Sequence, residues 1–351
     1  MIRTLGAPVS VRVDDLNEGD SALWDGYADA HPDGTIYHRS PWRQVMAHGF
    51  GHHVRLRVAR SRSDGIVGIL PIVAFRSRVF GRFLVSMPFL NGGGILASGP
   101  ASEAALREDT ARLVNETGSA WCELRHVAPA GQPISVNKVE LSLKLPTDEE
   151  CLWRGLRAKV RNQVRKAQRA GLIATSTRNP HATGEFYAIF AENMRNLGTP
   201  VYSPRFFEAI GTELGADVML TLVTRGNVSV AAGLSLIYRD TVELHWAASR
   251  RAALPDAPNM LLYWEVLRQA VQLGASRVSF GRSTPNSGPY HFKTQWGATE
   301  RPLAWELFSG ANGAKSTDPT RSSLSAASSV WKALPLAVAT RAGPPIARHL
   351  P

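Results

Sequence analysis

The sequence predicts an α+β protein built of two mixed halves and a short tail. Three observations lead there. The 351 residues are more than one hydrophobic core usually organises. Period-2 strand patterns and period-3.6 helix patterns interleave in both halves, and the second runs as helices, a strand meander, a helix and closing strands. Between the halves, Pro146 is followed at once by helix-capping residues, Thr147-Asp148-Glu149-Glu150. The expected units are 1–146, 147–309 and a linker with a basic apolar segment, 310–351.

The elements follow in order. A helix starts near Pro41, with Ser40 as cap and the proline in the first helical position. "HVRLRVAR" and "GIVGILPIVAF" alternate as strands around the turn Ser63-Asp64-Gly65. A basic loop, "RSRVFGRF", leads to "LVSMPFLNGGGILA", whose glycines after Asn91 let backbone approach something closely or simply turn. A helix fits 101–117, and strands fit 120–127 and 137–145.

From Pro146 a single basic helix is expected over 148–171, capped by Thr147 with Glu150 reaching back and stopped by Gly171. Leu152, Leu156, Val160 and Val164 form its packing face, and Arg154, Arg157, Arg161, Arg165 and Arg169 a ladder opposite. No acid lies between residues 151 and 184, so the ladder repels itself and invites an anionic partner. Two helices follow, then three meander strands over 217–249, a helix from an Asn259 cap to a Gly274 stop, and the strands "ASRVSF" and "ERPLAWELF". Residues 310–329 read as a polar linker. Prolines at 335, 344, 345 and 351 limit the remainder to short helices, read here as folded back on the domains, with a weak peripheral contact with the inner face of the membrane as the alternative.

Composition narrows the function. Hydrophobic residues make up 44% and charged residues 20%, an ordinary soluble mixture. No run approaches the roughly 20 apolar residues that span a bilayer, and the opening residues lack a signal-type apolar core. Cys122 and Cys151 have no metal-type spacing and suit packed thiols in a cytoplasmic protein. The net charge of +11 favours an acidic partner such as RNA, a nucleotide-linked substrate, a glycan or a lipid surface.

Five segments, taken in order, carry a likeness: "GILPIVAFRSRVFGRFLVSMPFLNGGG", "LRAKVRNQVRKAQRAGL", "NMRNLGTPVYSPRFF", "PNMLLYWEVLRQA" and "FGRSTPNSGPYHFKTQWGA". The chain resembles the Fem-type peptidyltransferases, a pair of GNAT-like (acetyltransferase-like) domains. More narrowly, it resembles the Fem-related proteins encoded with bacterial exosortase and exopolysaccharide systems. The resemblance implies acyl or aminoacyl transfer to an amine, with no metal or other cofactor. An ordinary GNAT enzyme grips the pyrophosphate of acetyl-CoA on a glycine-rich turn that opens a helix. The corresponding "SRRAALPDAPN" has no glycine, and Pro255 and Pro258 remove two N–H donors. Aminoacyl-tRNA is therefore the favoured donor, with acyl-CoA or an acyl carrier protein, acting on a sugar amine, as the alternative. A noncatalytic module binding polyanions through the ladder is the rival outside enzymes.

The catalytic candidates are Lys293, Arg282 and Tyr290. Lys293 sits among Tyr290, Phe292 and Trp296, where a cation can hold a carboxylate or an oxyanion; otherwise its stem covers Trp296 on a hairpin. Arg282 ends a strand, where sites assemble, and its fork suits phosphate or carboxylate; otherwise it ties a loop. Arg161, Tyr202, Asn91 and Trp296 are the substrate-binding candidates. The resemblance points to Arg161, the loop position to Tyr202, the adjacent glycines to Asn91, which reads equally as part of a plain turn; Tyr290, Tyr202 and Trp296 read more readily as packing residues. Glu243 and His245 alternate on one strand and read as half-buried strand residues. The His48/His52/His53 group lacks an acid or Cys at ligand spacing, so no metal is expected.

Overall fold

The computed structural model describes residues 11–17, 19–63, 65–77, 81–127, 137–310 and 321–350, without the side chains of 127 and 321–326. The first half contains β1 (Arg12–Asp15), α1 (Ser21–Ala30), a 3-10 turn (Ile36–His38), α2 (Trp42–Phe50), β2 (Val54–Arg60), β3 (Ile66–Ser77), β4 (Gly81–Val85), β5 (Leu96–Ala97), α3 (Pro100–Glu116), β6 (Trp121–Val127) and β7 (Val139–Lys144). The second contains α4 (Glu149–Gly155), α5 (Ala158–Arg169), β8 (Leu172–Thr177), α6 (Thr183–Leu197), α7 (Pro204–Leu214), β9 (Val218–Arg225), β10 (Val228–Tyr238), β11 (Thr241–Ser249), α8 (Pro258–Gln272), β12 (Arg277–Ser283), α9 (Gly288–Thr294) and β13 (Thr299–Ser309). Then come α10 (Arg321–Ala333) and α11 (Leu336–Ala347).

Among the described residues the strands join in one sheet, ordered β1-β2-β3-β4-β6-β13-β7-β12-β11-β10-β9-β8, with β5 off β3. The two halves exchange strands at the seam. β7 precedes Pro146 yet pairs with β12 of the second half. β13 pairs with β7 over Thr299–Pro302 and with β6 of the first half over Leu303–Ser309.

Several local expectations change. The basic helix is two helices, α4 and α5, broken at Leu156-Arg157 where the backbone is extended. The break leaves carbonyls without helical partners, and Arg161 Nη1 donates to those of Arg154 at 2.9 Å and Leu156 at 3.0 Å. Leu152, Leu156, Val160 and Val164 are still all buried. Asp148, not Thr147, caps α4, its carboxylate accepting from the Cys151 N–H at 2.7 Å. Arg154 pairs with Glu150 four residues earlier, so the ladder's first rung is relieved. Asn259 is no cap: α8 begins at Pro258, after Ala257 in the left-handed region. The segment expected as a hairpin around Lys293 is helix α9, capped by Ser287. Of the expected linker, 311–320 lies outside the described residues and 321–329 is helical; Asp64 of the first turn also lies outside them. Cys122 is buried, but Cys151 is exposed rather than packed.

One apolar cluster runs through both halves, from Trp24 and Trp42 to Phe186, Phe206, Phe207 and Trp246. Helices α2 and α7 cross closely within it. A Cβ placed on Gly49 would stand 2.8 Å from the Phe206 Cα, so only glycine lets the backbones meet. The C-terminal helices fold back on α6: Ser328 Oγ donates to Leu197 O at 3.4 Å, and His52 Nε2 meets Arg348 O at 2.8 Å.

Gly49→Val should therefore push α2 from α7 and cost about 2–3 kcal/mol of stability, read as a lowered midpoint in urea titration. A control at the open position Gly26, where an added Cβ meets nothing, should cost less.

Candidate functional site

Two pairs of neighbouring parallel strands open the sheet. In the second half β11 and β12 pair only from Thr241/Arg277 to Glu243/Ser279, although β11 runs on to Ser249 and β12 to Ser283. The strands separate beyond Glu243, and a cleft of about 260 Å³ stands there, lined by Ala247, Asn259, Tyr263, Gly288, Pro289, Phe292 and Lys293. In the first half β4 and β6 pair at Leu84/Cys122 and Val85/Glu123. That split is filled by the chain's own loop 86–95: Ser86 Oγ accepts from the Arg125 N–H at 2.7 Å, and Phe89 and Leu90 are buried.

The filling loop reaches across to the second half. Met87 and Phe89 both hold positive φ, 44° and 68°, an uncommon state for such residues that neighbouring contacts must impose. The resulting path aims three groups at the seam. Phe89 O faces His245 Nε2 at 3.2 Å. Leu90 O accepts from Arg282 Nη1 at 3.1 Å and Arg125 Nη1 at 3.4 Å. Asn91 Nδ2 donates to Glu243 Oε1 at 2.6 Å. Tyr37 of the first half donates its hydroxyl to the same Oε1, which also meets His245 Nδ1 at 3.0 Å. Burial alone would raise the Glu243 carboxyl, but bonds from His245, Tyr37 and Asn91 outweigh it and hold the group below the usual glutamate value. Burial and the Glu243 charge push the Tyr37 phenol well up, keeping it a donor.

Two bulges aim the strand residues. β12 slips register between Ser279 and Arg282, with Gly281 at φ +66°. A Cβ on Gly281 would lie 2.8 Å from Asn91 Nδ2, so the glycine admits Asn91. β11 slips opposite Leu234/Ser235 and leaves His245 without a partner in the ladder.

Cations gather on one side of this knot. Arg125 and Arg282 lie 4.5 and 5.5 Å from the Trp305 ring centre. Arg125 pairs with Glu123 at 2.9 Å; burial pushes its guanidinium down to about 10. Arg282 has no carboxylate at ion-pair distance among the described residues, and its charge also acts on Lys138, Lys293 and Tyr202. Lys138 donates to Thr284. Lys293 Nζ donates to Arg282 O at 2.9 Å, and burial lowers its ammonium to about 8, with the Glu243 charge opposing and the Arg282 charge assisting.

The structure thus brings Lys293, Arg282, Asn91 and Tyr202 to one region. Tyr202 is packed against Phe50, Phe89 and Phe206. Trp296 is buried behind the cleft, stacked 5.9 Å from Tyr263. Tyr290 turns away to donate to Glu300 at 2.9 Å, and Arg161 is engaged at the α4–α5 break. Sequence reasoning passed over Arg125, Lys138, Tyr37 and the centrality of Glu243. An arginine amid "WCELRHV" was the one available signal for Arg125. Nothing local announces Tyr37, which lies 206 positions before its carboxylate. Among the described residues no group of three His, Cys, Asp or Glu stands at metal-binding distances.

Residues 154–294 match the acetyltransferase (GNAT) domain model. No curated protein sequence matches the chain. Among solved structures, FemX superposes with a TM-score of 0.62 at 12% identity, covering 85% of this chain and 97% of that one. The C-terminal domain of a putative lysylphosphatidylglycerol synthetase from Agrobacterium fabrum gives 0.56 at 11%, covering 84% and 93%. A tandem GNAT protein from the clavulanic acid biosynthesis pathway gives 0.54 at 10%, covering 86% and 100%. The chain therefore has a mixed α/β, tandem GNAT-like fold and carries an acyltransferase-type domain over its second half.

The lowered Lys293 ammonium gives a signed prediction. Between about 8 and the usual 10.5 the unfolded chain binds the proton that the native state has released, so this group adds stability as pH rises through that window and costs stability below it. Lys293→Met should raise stability at pH 7 by on the order of 1–3 kcal/mol and flatten the alkaline rise, as read from thermal melts across pH.

Proposed function

We propose that the protein is an acyl- or aminoacyltransferase that forms an amide on an amine of a cell-envelope or exopolysaccharide precursor. The observation that carries this is the unfilled split between β11 and β12, with Lys293 on its wall. The donor's acyl end occupies that cleft, and the acceptor lies toward Arg282, Arg125 and Lys138, where the charge of Arg282, with no carboxylate partner among the described residues, suits a nucleotide- or lipid-linked anion. The tandem fold supports the reading, and the exosortase-associated resemblance supplies the class of acceptor.

The chemistry is direct transfer. The acceptor amine attacks the acyl carbonyl, the C–N bond forms, the donor's ester or thioester bond breaks, and the amine proton leaves to water or the departing group. Lys293 donates to the oxygen that gains negative charge. Its proximity to Arg282 O and the Glu243 charge keeps the ammonium aimed at the cleft. Glu243, with three donors already on Oε1, is a positioning residue rather than a base.

The donor end favours aminoacyl-tRNA. Helix α8 opens with Ala257 at φ 56° followed by Pro258, and a proline also precedes it at 255, leaving a poor cradle for a pyrophosphate. Beside it, α5 presents Arg165 and Arg169 on an open basic surface, suited to an RNA backbone. We assign the work to the cytoplasm.

The test supplies the purified protein with aminoacyl-tRNA, acyl-CoA or an acyl carrier in the presence of amino-sugar and lipid-linked acceptors, and follows donor consumption. Acceptor-dependent turnover is expected with aminoacyl-tRNA, falling at least about 100-fold in Lys293→Ala and Arg282→Ala with unchanged circular dichroism. Full activity in both variants overturns the site; turnover with acyl-CoA alone overturns the donor. Salt-sensitive RNA binding without turnover under any pairing overturns the enzyme reading.

A further inference from the structure

Helix α11 is seated on the protein by a stripe of small residues. A helix on a globular surface normally turns its largest apolar side chains to the core. In α11 the buried residues are Ala339, Gly343 and Ala347, one stripe at i, i+4 and i+8. The larger Val338 and Ile346 stand off that stripe and are exposed, at 47% and 43%. The seat enforces this: a Cβ on Gly343 would stand 2.8 Å from the Val201 backbone nitrogen, so nothing larger fits there. Val330 of α10, at 67%, and Leu197 at the end of α6, at 58%, extend the exposed apolar surface. Ser328 bonds the Leu197 carbonyl, which places the two elements side by side.

The charges around this surface have one sign. No Asp or Glu follows Asp318, and Lys332, Arg341 and Arg348 are exposed among the apolar residues. We infer that α10 and α11 form a docking surface for an anionic lipid bilayer, lying in its interface with Val330, Val338 and Ile346 inserted among the acyl chains and the three cations at the headgroups. A twelve-residue α11 is only about 18 Å long, too short to cross, and no helix among the described residues is long and apolar enough to do so. A second copy of the chain fits poorly, since two such cationic faces repel. Nucleic acid would pair the cations but leave the Leu, Val and Ile side chains in water. The inference stands independently of the transfer reaction; because the tail is seated on Val201, it places lipid on the same side as the loop carrying Tyr202.

The full chain tests this by flotation with phosphatidylcholine vesicles carrying about one-third phosphatidylglycerol, against phosphatidylcholine alone. Binding at least about 10-fold tighter to the anionic vesicles, weakened by salt, is expected. The exposed triple change Val330→Ser, Val338→Ser, Ile346→Ser should weaken it at least about 10-fold, and Lys332→Gln, Arg341→Gln, Arg348→Gln should remove the preference for anionic lipid. Near-ultraviolet circular dichroism should be unchanged in both, since all six side chains are exposed. Equal affinity for both vesicles, or undiminished binding by the serine variant, overturns the proposal. So does a concentration-dependent dimer that the serine changes dissolve, which would make a second copy the occupant.

Discussion

The buried carboxylate of Glu243 is the constraint on which the rest of the centre depends. A charge withdrawn from water must be met by donors or it neutralises, and here the donors come from separate parts of the chain: Tyr37, Asn91 and His245. Satisfying one oxygen therefore fastens a 3-10 turn and a loop of the first half to a strand of the second. The fastened loop must carry Met87 and Phe89 through positive φ, and only in that conformation does the Leu90 carbonyl face both Arg125 and Arg282. Two guanidinium groups are held close together because an oxygen lies between them; Glu123 answers the charge of Arg125, and that of Arg282 is left for something not in the chain.

The same logic explains why the two parallel splits differ. A parallel pair of strands that separates leaves unpaired backbone groups and a gap that must be filled or hydrated. In the first half the chain fills its own gap and gives up a site. In the second half the gap remains, and its walls, Tyr263, Phe292 and Lys293, are furnished by α8 and α9. The strand exchange makes the arrangement rigid: β13 is bonded to β7 by one end and β6 by the other, so the halves cannot hinge without breaking ladder hydrogen bonds. Trp305, on that strand, covers the two arginines from a backbone shared by both halves.

Much of this was legible along the chain. The strands around residues 54–77 and the meander of β9 to β11 follow from alternation between turns, because period 2 with a buried face admits one register. Lys293 and Arg282 were legible as cations placed among aromatics and at a strand end. Their neighbours were less so. Arg161 read as a substrate ligand, yet its guanidinium fills the carbonyls opened by the α4–α5 break. Thr147 and Asn259 read as caps, yet the backbone starts its helices at Asp148 and after Ala257, positions that differ by only one or two residues and are decided by φ and ψ rather than by side-chain type.

The sequence by itself determined most of the strands and the longer helices, the α+β class, the cationic character of the segment 280–298 and the acid-free tail, because hydrophobic period, capping chemistry and charge are local properties. Only the tertiary structure decided that the basic helix broke in two, which split stayed open, that Glu243 became the knot, that Arg125 joined Arg282, and that α11 seated its small residues and left Val338 and Ile346 outward. Each of those depends on groups brought together from distant positions, on bulges that re-aim side chains, and on close approaches such as Gly343 on Val201 and Gly49 on Phe206. Such approaches are set by how whole layers settle against one another, which no local pattern encodes.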